Sequence, residues 1–129
     1  MFEDVKPQHI PALLVATTMT LGGVWGLLYP RDAIQEFGFP SHIANAPAAA
    51  PVFRAGNART IVIGLLTSTF YLRGQLEAVD TVVAITGAYC GLVDSYVVWK
   101  AGNPRKALFR LVSSAALSAC GLWGLTARR

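Results

Sequence analysis

Apolar residues fall in long runs along this chain, and most charged residues sit between the runs or at their edges. Residues 7–30 contain no Asp, Glu, Lys or Arg. Within them, IPALLVATTMTLGGVWGLLY approaches the roughly twenty apolar residues that cross a hydrocarbon core of about 30 Å. Trp25 and Tyr29 stand near the end of this run, where amphipathic rings favour an interface. The pattern predicts helices over 9–29, 52–71, 76–99 and 107–127. The connections at 72–75 and 100–106 are short, so consecutive helices must run antiparallel. The expected fold is all-α, a transmembrane up-down-up-down four-helix bundle forming one integral membrane domain over 1–129.

Between the first two helices, RDAIQEFGFPSHIANAPAAAP carries Pro40, Pro47 and Pro51, which break any long helix. A short amphipathic piece around Ile34 and Phe37 suits a membrane interface. Residues 31–51 therefore read as an interfacial loop, long enough to leave room for a lid.

Composition supports lipid as the solvent. Charged residues make up 14% of the chain and apolar ones 53%, against roughly a quarter charged in a soluble domain. The net charge of +4 comes from basic residues placed singly at the ends of apolar runs. That spacing suits membrane flanks and excludes a nucleic-acid surface, which needs a continuous basic face. Lys6, Arg73, Arg128 and Arg129 on one side balance Arg31, Lys100, Arg105 and Lys106 on the other, so charge gives no orientation. The first apolar run is too long for a signal-peptide core and reads as retained. The expected location is the endoplasmic reticulum membrane in a eukaryote, or the inner membrane in a bacterium.

Small residues recur at helix-packing spacing: Gly22 with Gly26, Gly87 with Gly91, and Ser114 with Ser118. Cys90 and Cys120 lie inside apolar runs without a CxxC or a partnering His, so they read as packing residues and no metal site is expected.

Charge within the spans carries the candidate chemistry. Without Arg59 and Asp94 the second and third helices would be too short to cross, so both enter the membrane. Each costs about 2.5–3.5 kcal/mol at a helix centre, and is expected to find a partner inside the bundle. Antiparallel connectivity brings the start of the second helix, the end of the third and the start of the fourth to one face. Arg54, Asn57 and Arg59 lie in the first of these and Arg110 in the last. Asp94 is roughly 9 Å inside the end of the third helix at about 1.5 Å per residue. An ion pair of Asp94 with Arg59 or Arg110 is expected, with Arg54 reaching the headgroups and Asn57 bonding a neighbouring helix. Tyr96 has a hydroxyl able to reach the level of Asp94, and His42 sits in the possible lid. His9 reads as solvated at the interface, and Asp80 as a structural acid near a helix N-terminus.

No catalytic triad, phosphate loop, haem ligand pair or metal triad is present in the sequence, and no cofactor is expected. Carboxylate, guanidinium and phenol suffice for isomerisation or proton-triggered cyclisation of an apolar molecule.

FRAGNARTIVIG at 53–64 resembles the Arg-x-x-Gly/Asn-x-Arg opening of the second helix in a family of small four-helix membrane proteins, a domain of unknown function found in fungi and bacteria. The resemblance continues through Asp94, the Gly-Asn-Pro turn at 102–104 and the apolar last helix. In that family the third helix tends to end in Asp-Gly and the fourth often opens with His. Here Ser95 follows Asp94 and Arg110 stands near the His position, so an acid–base role does not carry over to the fourth helix. The resemblance implies a compact four-helix membrane fold and, for many fungal members, a setting among secondary-metabolite genes.

The resulting expectation is a membrane enzyme or enzyme subunit that cyclises or isomerises a lipophilic biosynthetic intermediate without a cofactor. Asp94 and Arg59 would act in catalysis, with Arg54, Asn57, Tyr96, Arg110 and His42 binding substrate. The alternative is a non-catalytic scaffold for a membrane partner or a second copy. Transport fits less well, because four short helices enclose little pathway.

Overall fold

A computed structural model describes residues 5–128, which leaves Glu3, Asp4 and Arg129 outside the described residues. Residues 5–128 are largely helical and contain no strand. A 3-10 turn at Pro7–His9 leads into α1 (Ile10–Leu28), followed by α2 (Pro30–Phe37), α3 (Ser41–Ala44), α4 (Ala49–Leu72), α5 (Leu76–Lys100) and α6 (Pro104–Leu122).

Proline sets several starts. Pro30 and Pro104 each open a helix, where the missing N–H would have no intrahelical partner anyway. Pro51 is tolerated in the first turn of α4 for the same reason, so the helix begins before the prolines end. The Asn103 side chain caps α6 by accepting from the Lys106 N–H at 3.2 Å. The segment 31–51, read from sequence as a loop, is mostly helix: α2 and α3 occupy it, and Ala33 and Ile34 of α2 are buried. α2 stops at Gly38, whose φ of 127° suits a residue without Cβ. A Cβ there would also stand 2.7 Å from Val98.

The long helices pack as two close pairs, α1 against α4 and α5 against α6, and contact between the pairs is sparser. Glycine explains the closeness. A Cβ at Gly87 would fall 2.7 Å from the Ser114 carbonyl and 2.8 Å from the Ser118 N–H, and one at Gly91 would overlap the Ser114 side chain. The glycine pair of α5 and the serine pair of α6 therefore face each other, and the Ser118 hydroxyl donates to the Ala84 carbonyl at 2.9 Å. In α1 the contact residues are Gly23, against Ile61, and Gly26, against Asn57. Gly22 was expected in this role, but nothing lies within 4 Å of where its Cβ would stand. It is one position out of phase with the seam.

The apolar core lies toward the end of the molecule that holds the α4–α5 connection. Ala12, Val15, Val79 and Val83 form it, with Met19, Phe70, Tyr71 and Leu117 packed around. Polar groups at this end are satisfied. His9, expected to be solvated, is only 4% exposed. Its Nδ1 lies 2.8 Å from the Tyr71 hydroxyl, with the rings edge to face. The buried Asp80 carboxylate accepts from the N–H groups of Thr126 and Ala127 at 3.0 and 2.8 Å. That bond anchors the turn after α6, which ends at Leu122, short of the helix expected to reach 127.

Two stretches, Pro7–Leu28 and Leu76–Lys100, are long and apolar enough to cross a membrane, and only 28% of each apolar window is buried. A helix enclosed in a water-soluble core would be mostly covered, so this exposure points toward lipid. α4 and α6 are less uniformly apolar because Arg54, Asn57 and Arg59, and Arg105, Lys106 and Arg110, occupy their opening turns.

Candidate functional site

The sparse contact between the two helix pairs leaves a cavity of about 590 Å³ toward the end opposite the core. α1 contributes Thr18, Met19, Gly22 and Gly23 to its wall, and α4 contributes Val52, Phe53, Gly56, Asn57, Arg59, Thr60 and Ile63. α5 adds Cys90, Asp94 and Val97, α6 adds Arg110, and Phe37 and Phe39 close one side. The spacings follow the helix repeat: Cys90, Asp94 and Val97 are three or four apart and share one face of α5. Phe53, Gly56, Asn57 and Thr60 do the same on α4.

Four of the residues singled out from sequence thus line one cavity: Asn57 and Arg59 from α4, Asp94 from α5 and Arg110 from α6. Their bonding differs from expectation. Asp94 is half-buried and, among the described residues, makes neither a hydrogen bond nor a salt-bridge contact. The ion pair found among those residues is Lys106 to Glu36 at 3.3 Å, an exposed contact of the kind worth about 0–1 kcal/mol. The guanidiniums are engaged by backbone carbonyls instead. Arg59 donates from Nη1 to Ala55 at 2.9 Å, one turn back in its own helix. Arg110 donates from Nε to the Phe37 carbonyl at 2.9 Å and lies over the Phe37 ring, 3.6 Å from its centroid. Asn57 likewise bonds its own helix, through Phe53 at 3.0 Å, while its amide packs on Gly26.

Arg54, Tyr96 and His42 stand elsewhere. Arg54 donates to the Leu27 carbonyl at 3.1 Å, one of the acceptors that the end of α1 leaves without a helical partner. Tyr96 is two positions from Asp94, roughly 200° around the helix. It therefore lines a separate groove with Trp99 and Leu108, and the Lys100 ammonium lies 5.7 Å from its ring. His42 is exposed on the four-residue α3, away from the cavity wall.

Sequence reasoning missed what holds the aromatic wall. The last carbonyls of α2 have no intrahelical donors, and the opening turns of α6 supply them. Lys106 Nζ donates to Glu36 at 2.6 Å, Arg110 to Phe37, and Asn103 Nδ2 to Gly38 at 3.4 Å. Phe37 so fixed stacks on Phe39 at 5.3 Å and meets Phe53 edge to face at 6.4 Å. The segment expected as a lid is thus clamped across the cavity. Its signal was faint: amphipathic spacing around Ile34, and a Gly between two Phe.

The wall combines one carboxylate, two guanidiniums, an amide, hydroxyls and a thiol with apolar and aromatic side chains. Among the described residues, no group of three His, Cys, Asp or Glu side chains is placed to hold a metal ion. No curated protein and no solved structure matches the chain. Its residues 16–124, which include every cavity residue named above, match one family model, and the chain belongs to that family, described as a domain of unknown function (DUF4267).

Proposed function

We propose that this is a multi-pass membrane protein in which α1, α4, α5 and α6 form an up-down-up-down four-helix bundle. In a eukaryote its address is the endoplasmic reticulum membrane. We further propose that the cavity takes a lipophilic biosynthetic intermediate, of the kind made in secondary metabolism, and promotes its cyclisation or isomerisation without a cofactor. The membrane reading rests on the exposed apolar faces: Ile85, Leu92, Leu108 and Phe109 are all more than 60% exposed. Helices of 19 to 25 residues also match a span at about 1.5 Å per residue.

The observation that carries the chemical reading is the meeting of Asp94, Arg59, Asn57 and Arg110, from three helices, on one apolar cavity. In this reading Asp94 transfers the proton, a step typically worth about 10²–10⁴-fold in rate. Arg59 stabilises negative charge developing on a substrate oxygen. Asn57 and Arg110 orient the substrate, and the clamped phenylalanines exclude water. Because Asp94 makes no hydrogen bond or close ion pair among the described residues, its carboxylate can meet a ligand in the field of Arg110.

The test combines gene deletion, which identifies the accumulating intermediate, with turnover of that intermediate by the purified chain. Asp94→Asn is expected to lower turnover by at least about a hundredfold while the chain stays folded. Full turnover by that variant contradicts the reading.

A second reading, an accessory partner without chemistry, draws on one observation. A groove of about 280 Å³ runs along α5 and α6 past Gly87, Gly91, Ala115 and Ala119, the type of surface on which another membrane helix packs. Turnover that appears only when a co-purifying partner is present favours it.

A further inference from the structure

We infer that the ligand of the cavity is an amphiphile bearing a single negative charge, its anionic group toward Arg59 and Arg110 and its apolar body against the phenylalanine wall. This rests on the reading of the cavity as a lipophilic ligand site, and adds the charge of what enters it.

The lining contains two guanidiniums, Arg59 and Arg110, and one carboxylate, Asp94. With all three ionised the sum is one excess positive charge. None of the three is in an ion pair among the described residues, and the nearby Lys106 and Glu36 close on each other. Asp94 and Arg110 are half-buried and Arg59 is exposed at the cavity rim; charge held against the apolar part of the wall is costly unless it is balanced. A monoanion brings the lining to neutrality, a neutral ligand leaves the excess in place, and a cation adds to it.

Donor supply points the same way. Arg59 spends one Nη1 donor on Ala55 and Arg110 spends Nε on Phe37, so most donors of both forks stay unused by hydrogen bonds among the described residues. A planar carboxylate, enolate or phosphate oxygen pair is the acceptor that such forks match. Met19, Phe37, Phe53, Ile63 and Val97 offer apolar surface to a hydrocarbon body, beside the Thr18 and Thr60 hydroxyls, the Asn57 amide and the Cys90 thiol. A cavity of this volume suits a ligand of ordinary small-molecule size.

The experiment uses the full chain in phosphatidylcholine nanodiscs, with radiolabelled laurate, dodecanol and dodecylamine as matched probes. Gly56→Leu reports cavity occupancy: Gly56 lines the cavity, and nothing lies within 4 Å of its Cβ position. The expected result is Gly56-dependent binding of laurate at least about tenfold tighter than that of dodecanol, and none for dodecylamine. Arg59→Gln weakens laurate binding by about tenfold or more, and its own hydrogen bond lies within one helix, so the bundle stays intact. Asp94→Asn tightens laurate binding, the reverse of its expected effect on turnover.

Equal Gly56-dependent binding of laurate and dodecanol, or no change with Arg59→Gln, overturns the inference while leaving the cavity reading in place. If no probe binds in a Gly56-dependent way, both fall. Adding phosphatidylglycerol identifies the source. Displacement of laurate makes the resident monoanion a lipid phosphate, and undisturbed binding makes it a free carboxylate; either result supports the single-anion assignment.

Discussion

Two aspartates on α5, Asp80 and Asp94, have opposite surroundings. Asp80 is 5% exposed and accepts two backbone N–H groups from the turn after α6. Asp94, nearer the other end of the same helix, faces a cavity and has no hydrogen-bond or ion-pair partner among the described residues. The difference lies in packing. At the Asp80 end, Gly121 brings α6 within 2.5 Å of where its Cβ would meet the Ala84 nitrogen and the Asp80 carbonyl. Around Asp80 itself the helices touch and protein answers the carboxylate, although a groove of about 710 Å³ lined by His9, Phe70, Glu77 and Arg128 opens at the same end. At the Asp94 end the helix pairs stand apart, and an acid is left for something other than protein to meet. Structural and functional acids are thus told apart here by who satisfies them.

The sharpest way to break this contrast is to remove each acid. Asp80→Ala leaves two N–H groups without acceptors and is expected to lower stability by roughly 2–5 kcal/mol. Asp94→Asn is expected to change it by less than about 1 kcal/mol, since no hydrogen bond or close ion pair within the protein is lost. Reversible unfolding of both variants in mixed micelles measures the gap. Equal losses would erase the distinction.

A smaller effect separates seam from cavity. Gly91→Leu forces a side chain into Ser114 and is expected to cost about 1–3 kcal/mol or more. Gly22→Leu enters open space and is expected to be neutral or slightly stabilising, with helix propensity in its favour. The same unfolding experiment ranks them.

The most local effect belongs to the clamp. Arg110→Gln removes one hydrogen bond and a cation–π contact, worth together about 1–2 kcal/mol, mostly local to α2. Amide exchange over residues 36–39 should quicken, while exchange in the Val79–Val83 core stays unchanged.

Much of this arrangement was legible in the sequence because connectivity alone decides which helix ends meet. Asn57, Arg59, Asp94 and Arg110 are far apart along the chain, yet short antiparallel connections bring them to one end. Rotation about each helix axis was not legible. A helix that is apolar all round carries no amphipathic phase to read, so Gly22 was exchanged for Gly23, and Tyr96, expected to bind substrate at the level of Asp94, lines another groove. Nor did the sequence reveal that backbone carbonyls would compete for the guanidiniums. Arg110 goes to Phe37 because α2 ends beside α6, and α2 was read as part of a loop. The burial of His9 depends on Tyr71, 62 residues away, and no local pattern announces that pairing.

The central claim is that the gap between the helix pairs is an accessible cavity holding Asp94. The native thiol one turn away, Cys90, lines the same wall and can report on it directly. In a Cys120→Ser chain reconstituted in nanodiscs, the measurement is the rate of Cys90 modification by methyl methanethiosulfonate, with and without Gly22→Leu. The account predicts modification that slows by at least about tenfold when the leucine fills the space. A thiol that never reacts, or one that reacts at the same rate in both chains, would contradict it.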